Sequence, residues 1–168
     1  MTALKTPRLR LRPAEPGDLP ALHEVLSDHQ AMRFWSTPPH QHIETTQAWL
    51  RDMISAPPQT SHDFIVEHQG RVIGKAGCYQ LPEIGFILHP DYWGRGLARE
   101  ALEAVVASVF ANYPIPTIIA GVDPRNAGSL AVLTRLGFIE TGRAERTLLV
   151  ADTWCDSVYL ALDRPPPP

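Results

Sequence analysis

The chain has 168 residues, 44% of them hydrophobic and 20% charged, which describes a globular protein and excludes a disordered one. Fifteen Lys and Arg against 18 Asp and Glu leave a net charge of −3, which argues against a generic nucleic-acid binder. The longest uninterrupted apolar run, Val158 to Leu162, falls far short of the roughly 20 residues that span a bilayer, so no membrane partner is expected.

Proline punctuates the rest. The 17 prolines include Pro38-Pro39, Pro57-Pro58, Pro82, Pro90, Pro114, Pro116 and Pro124, and proline is confined to the ends or edges of regular elements. Residues 8–12, Arg-Leu-Arg-Leu-Arg, alternate with period two and predict a half-buried strand. Pro16-Gly17-Asp18 opens a predicted helix to about Ser27, with Asp18 as N-cap and Leu19, Leu22, Val25 and Leu26 on one face. A loop over 28–43 carries Phe34, Trp35, His40 and His42, and a second helix over 44–55 carries Trp49, Leu50, Met53 and Ile54. Phe64-Ile65-Val66 and Val72-Ile73 flank Gln69-Gly70, a hairpin signal. A third strand runs from Glu83 to Leu88 and ends at His89-Pro90. From Gly96 to about Ala111, Leu97, Ala101, Leu102, Val105 and Val109 recur at helical spacing, with Glu100 and Glu103 on another part of the surface. Thr117–Val122 is a β-branched strand. Residues 127–136 form a short helix stopped by Gly137, and two strands follow near 138–144 and 154–162. Pro165 to Pro168 read as a frayed tail, so residues 1–164 are expected to form one domain, a mixed α/β sheet covered by helices.

The most informative stretch lies between Pro82 and Glu100. A strand ends, Pro90 breaks it, and Gly94-Arg95-Gly96 leads into a long helix. The first turn of a helix has unpaired N–H donors and the positive end of the dipole, which favour phosphate, and glycine lets the backbone approach the anion. Arg95 and Arg99 add charge, so Gly94–Arg99 is a candidate phosphate seat. A Walker A loop is excluded because the Gly-Lys pair Gly74-Lys75 is followed by Ala76. A dinucleotide fingerprint fits poorly, since Arg99 stands where its last glycine belongs. A helix start with no ligand stays open.

At this point the chain resembles the GCN5-related N-acetyltransferase family, and within it the ribosomal-protein N-terminal acetyltransferase type. Thr6-Pro-Arg-Leu-Arg-Leu-Arg-Pro13 resembles that group's opening strand, and Glu83-Ile-Gly-Phe86 with Pro90-Asp-Tyr-Trp-Gly-Arg-Gly-Leu-Ala98 its acetyl-CoA loop. Asn126-Ala-Gly-Ser129 with Leu136-Gly-Phe138 resembles its next helix and turn, and Trp154-Cys-Asp156-Ser-Val-Tyr159 its last strand. The four segments occur in the family's order and span nearly the whole chain. The resemblance implies a mostly antiparallel twisted sheet and transfer of an acetyl group from acetyl-CoA directly to an amine, with no metal. It places the motif on Trp93-Gly94-Arg95-Gly96-Leu97-Ala98, with Trp93 a departure at the first position. Backbone N–H groups from Arg95 to Ala98 would meet the pyrophosphate, and Phe86, Ile87 and Leu88 would pair with the pantetheine arm as an extra strand does.

An amine attacks a thioester only as the free base. An α-amine, with a reference pKa of about 7.7–8.0, needs less help than a Lys side chain at about 10.4. Glu83, at the start of the strand that leads to the loop, is a candidate general base through a water, and a strand-end carboxylate in solvent is the plainer alternative. The oxyanion needs a donor, most simply the N–H of Phe86 or Ile87. Many relatives carry a Tyr where this chain has Leu133, which cannot protonate the departing thiolate. Asn126, Ser129 and Leu133 fall on one helical face, so Ser129 becomes the nearest hydroxyl acid and Asn126 a pantetheine contact. Ser129 as an ordinary cap or exposed serine stays open.

The two cysteines, Cys78 and Cys155, form no framework and no CxxC site, and Cys78 lies in a strand pattern expected to bury it as a small hydrophobe rather than a nucleophile. His40 and His42 are two ligands without a third. Phe34 and Trp35 suggest a wall of the acceptor site, Trp49 suggests core, Tyr79 either, and Asp63 and Asp156 read as surface charge. Residues 1–5 have no apolar h-region, so no secretion signal and a cytoplasmic location are expected. The acceptor is expected to be a protein N-terminal α-amine. A polyamine, an amino acid, an aminoglycoside, a non-catalytic acyl-CoA-binding module and a dinucleotide oxidoreductase are the alternatives. A homodimer is left open.

Overall fold

A computed structural model describes residues 2–166 of the chain, so Pro167 and Pro168 of the expected tail lie outside the described residues. Eight strands form one sheet: β1 (Leu4–Lys5), β2 (Leu9–Arg12), β3 (His62–His68), β4 (Arg71–Gln80), β5 (Glu83–Leu88), β6 (Thr117–Val122), β7 (Ile139–Val150) and β8 (Thr153–Asp163). Their order across the sheet is β1-β2-β3-β4-β5-β6-β8-β7. Every neighbouring pair is antiparallel except β5 and β6. The helices are α1 (Leu19–Leu26), α2 (Ile43–Ser55), α3 (Leu97–Asn112) and α4 (Ala127–Arg135). None is long and apolar enough to cross a membrane.

Side-chain alternation along the strands divides the core between the two faces. Phe64, Val66, Ile84 and Leu88 join the larger cluster with Leu97, Ala101, Leu102, Val105 and Val109 of α3 and Leu133 of α4. Ile65 and Ile87 point the other way, Ile65 onto Leu22, Leu50 and Met53, and Ile87 onto Val25, Leu26 and Met32. Helices α1 and α2 therefore cover one face and α3 and α4 the other.

The expected boundaries of β5 and β6 match the observed ones. Two local expectations do not hold. Asp18 precedes α1, but its carboxylate caps nothing there and instead takes Arg12 Nη1 and Nη2 at 2.9 and 2.6 Å and the Glu15 N–H at 2.8 Å. The last strand matches its expected span to within one residue at each end, but β7 runs six residues past 144, to a turn at Ala151-Asp152. Neither Gly nor Asn marks that turn: Ala151 adopts a φ of 49°, and a bulge at Arg146, φ 52°, breaks the alternation that would have announced the strand.

Two buried histidines give the fold a pH dependence. Thr46 Oγ1 lies 2.7 Å from His23 Nδ1 and 2.8 Å from His40 Nδ1, pinning the 28–42 segment to α1 and α2. His62 reaches Ser108 Oγ at 2.8 Å and the Tyr113 hydroxyl at 3.2 Å. Burial lowers the pKa of both His40 and His62, and His23 lowers that of His40 further. The unfolded chain therefore takes up protons below about pH 6.5 that the folded chain refuses, so acidification favours unfolding. The melting temperature is expected to fall as pH drops from about 7.5 to 5.5; a flat profile by circular dichroism over that window would remove this account.

Candidate functional site

Strands β5 and β6 touch at one end only. Their single paired position is Glu83 with Ile119, supported by an Ile119 N–H donated to Pro82 O at 3.1 Å. Beyond it β6 keeps its pairing to β8 along its whole length, and the two parallel strands part. A cavity of about 990 Å³ opens there. Its walls come from the segment 30–35, the second half of β5, the turn leading into α3, and the start of α4.

The main chain of β5 faces this gap selectively. His89 N–H donates to Ile73 O at 2.8 Å, and the register continues as Lys75 with Ile87. In an antiparallel ladder the hydrogen-bonded pairs alternate, so Ile87 spends its N–H and C=O on β4. Phe86 and Leu88 turn theirs toward the gap. The Leu88 carbonyl is taken by the Trp93 indole Nε1 at 2.9 Å, which leaves the Phe86 N–H and C=O and the Leu88 N–H free. Ile87 lines the cavity with its atoms but has no backbone group to offer, so the expectation of Ile87 as a main-chain contact or oxyanion donor is not met.

The turn after β5 presents the start of α3. Gly94 and Gly96 have φ of 70° and 74°, the left-handed region that glycine enters without a Cβ penalty. Gly96 caps α3 with no side chain, its carbonyl accepting from Glu100 N at 3.1 Å. The N–H groups of Leu97, Ala98 and Arg99 have no intrahelical acceptor. Trp93, Gly94, Gly96, Leu97, Ala98 and Arg99 all line the cavity. Arg95 does not: its guanidinium lies over the Tyr92 ring at 5.4 Å. Arg99 pairs with Glu103 at 2.8 Å.

Glu100 is not on a free part of the surface, as its spacing suggested. It accepts from Thr6 Oγ1, from the Arg8 N–H and from Arg8 Nε at 2.5, 2.8 and 2.6 Å. Partial burial works to raise its pKa, and these hydrogen bonds outweigh it and hold the carboxyl below its ordinary range. Arg8 also donates to Arg95 O at 2.7 Å. Period-two and period-3.6 patterns cannot reveal this contact, because its partners lie 92 residues apart.

On the opposite wall, Asn126 Oδ1 accepts the Ser129 N–H at 3.1 Å, so Asn126 is the cap of α4 and only its Nδ2 remains for a ligand. Ser129 lines the cavity with Ala131, Val132 and Arg135. Leu133 does not share that wall. It lies about 40° beyond Ser129 at 100° per residue and is buried in the core under α4. Arg125, pinned to Asp123 by contacts of 2.7 and 2.9 Å, stands over Phe34 at 5.5 Å and links the 30–35 segment to α4 across the gap.

Glu83 is exposed at the vertex where β5 and β6 meet, outside the cavity lining. A Cβ on Gly121 would lie 3.6 Å from Glu83 Oε1, so the neighbouring strand leaves room around the carboxylate. Asp63 is buried, contrary to the surface charge its sequence position suggests, and Lys75 Nζ meets its Oδ2 at 2.8 Å. Its Oδ1 has no hydrogen-bond partner. Burial pushes the Asp63 carboxyl up against the opposing pull of Lys75. Lys75 Nζ lies 5.8 Å from the Trp35 ring, so this pair sits directly behind the cavity wall. Cys78 is fully buried, and burial pushes its thiol up to about 12, the opposite of an activated nucleophile. Tyr79 is exposed and does not line this cavity, while Trp49 packs against both clusters on the α1–α2 face. His40 is committed to Thr46, and no group of three or more metal-ligating side chains occurs among the described residues.

Residues 8–139 match the sequence model for the GNAT acetyltransferase domain, and the chain belongs to that family. It is an acetyl-CoA-dependent N-acetyltransferase. Its fold superimposes on an acetyltransferase of the GNAT family from Bacillus anthracis with a TM-score of 0.83 and 26% identity, covering 96% of this chain and 98% of that one. The spermidine N(1)-acetyltransferase of Escherichia coli (strain K12) is 24% identical over 164 residues, 92% of this chain and 85% of that enzyme. The ribosomal protein uS5-alanine N-acetyltransferase of the same organism is 34% identical over 89 residues, 53% of this chain and 46% of that enzyme.

Proposed function

We propose that the acceptor is the α-amine of a protein N-terminus. The observation that carries this reading is the higher identity to the ribosomal protein uS5-alanine N-acetyltransferase, 34% over 89 residues, than to the spermidine N(1)-acetyltransferase, 24% over 164 residues. The arginines lining the cavity, Arg33, Arg99, Arg125 and Arg135, suit the anionic coenzyme. A peptide brings one amine, which is partly free base near neutral pH.

In this reading the diphosphate of acetyl-CoA sits against the N–H groups of Leu97, Ala98 and Arg99, where the dipole of α3 and the guanidinium of Arg99 favour it. The pantetheine arm lies in the gap as a further strand, bonded to Phe86 and Leu88 and to Asn126 Nδ2. The thioester then lies toward the vertex of β5 and β6. Glu83 accepts the amine proton through one water, the Phe86 N–H supports the oxyanion, and Ser129 is the hydroxyl available to the departing thiolate. The amine nitrogen forms the new C–N bond as the C–S bond breaks, and the proton it loses leaves by way of Glu83.

A panel of free-N-terminal peptides, the same peptides N-formylated, spermidine and amino acids, followed by mass spectrometry, tests the acceptor. Acetylation confined to free N-termini is expected. A kcat/KM for spermidine above that of every peptide would overturn the reading in favour of a polyamine, the acceptor suggested by the relative that matches more of the chain.

Glu83→Gln is expected to lower kcat on the order of 100-fold, the usual scale of general-base loss. The loss is largest at low pH, where free amine is scarce, and the KM for acetyl-CoA stays unchanged. A rate and pH profile equal to wild type would leave Glu83 a structural residue.

A further inference from the structure

We propose that Arg8 and Glu100 are positioning residues for the coenzyme: they hold the Gly94–Gly96 turn in the shape that presents the first N–H groups of α3. This rests on reading that turn as the diphosphate seat. Gly96 offers no side chain to cap the helix, so the shape of the turn must be imposed from outside. Arg8 imposes it. Its Nε and Nη1 bridge Glu100 Oε2 and the Arg95 carbonyl, two points on either side of Gly96, and Nη2 lies 3.5 Å from where a Gly96 Cβ would stand. Arg8 is itself fixed by its own N–H to Glu100 Oε1. Thr6, which donates to the same oxygen, is held by Leu9 N–H at 2.9 Å.

The pair also solves an electrostatic problem. A carboxylate in the first turn of α3 suits the helix dipole but repels a phosphate bound there. Glu100 accepts three hydrogen bonds, two of them from Arg8, so its charge is offset by the guanidinium beside it. Neither Arg8 nor Glu100 lines the cavity, so any effect on the coenzyme passes through the turn. Arg8 is largely exposed but Glu100 is partly buried, so the melting temperature is read beside the Kd to separate a role in binding from a role in folding.

The test compares Arg8→Met, Glu100→Gln, the double variant and Arg8→Lys. It reads the Kd for CoA by calorimetry, KM for acetyl-CoA, kcat at saturation, and the melting temperature. Arg8→Met is expected to raise Kd and KM about tenfold, as loss of a charged hydrogen-bonding group does, with kcat at saturation within about twofold. Adding Glu100→Gln recovers part of the affinity by removing the uncompensated carboxylate. Arg8→Lys falls between, since an ammonium cannot bridge both acceptors. A Kd within about twofold of wild type, a loss in kcat equal to that in KM, or no recovery in the double variant overturns the proposal. If Arg8→Met does not fold, Thr6→Val carries the same test, with a smaller rise in KM expected and none overturning it. Failure of the clamp is distinct from failure of the seat: loss of CoA binding in Gly96→Asp with none in Arg8→Met sinks the clamp alone.

Discussion

Gly96→Asp is expected to weaken CoA binding on the order of 100-fold while the protein stays folded. A Cβ at Gly96 would stand 3.5 Å from Arg8 Nη2, so the new carboxylate competes with Glu100 and the Arg95 carbonyl for that guanidinium and adds a negative charge beside the first N–H groups of α3. It must also adopt a φ of 74°, which costs an L-residue roughly 1–2 kcal/mol, so the turn shifts as well. The binding loss combines that shift with like-charge repulsion of the diphosphate, and each lost hydrogen bond to a charged group costs about 1.5–3 kcal/mol. Titration calorimetry with CoA checks this, with Gly96→Ala as the variant that keeps the N–H groups free and loses less. A Kd within about threefold of wild type would mean the diphosphate does not bind at this turn.

Lys75→Met is expected to cost about 3–5 kcal/mol of folding stability, the scale for removing one partner of a buried pair. Lys75 and Asp63 are both buried, and Asp63 Oδ1 already lacks a hydrogen-bond partner. Without the ammonium, Asp63 is an isolated carboxylate inside the sheet and must ionise at high cost or take up a proton. Replacing both residues, Lys75→Met with Asp63→Leu, is expected to restore most of the loss, since an apolar pair has no charge to desolvate. Urea denaturation followed by circular dichroism measures both. A single-variant loss below about 1 kcal/mol would place the pair among weak surface bridges and contradict its burial. Because Trp35 lies over Lys75 and lines the cavity, a rise in KM for the acceptor is expected alongside the stability change.

What could be read from the sequence is what depends on neighbours along the chain. The strand Glu83–Leu88, the glycine turn and helix 97–112 follow from proline breaks, glycine positions and apolar spacing, all encoded within a few residues. The family's ordered segments come from the same local patterns. Long-range packing decided the rest. No spacing announces that Glu100 belongs to Arg8, that Asp63 lies under Trp35 with Lys75, or that Leu133 turns into the core while Ser129 faces the gap. The gap itself is a property of three strands at once: β6 pairs with β8 throughout and with β5 at one residue, so a space for the coenzyme opens where a closed sheet would leave none. Hydrogen bonding between distant strands made that choice, because each backbone group has one direction in which to bond and the third strand determines which is left free.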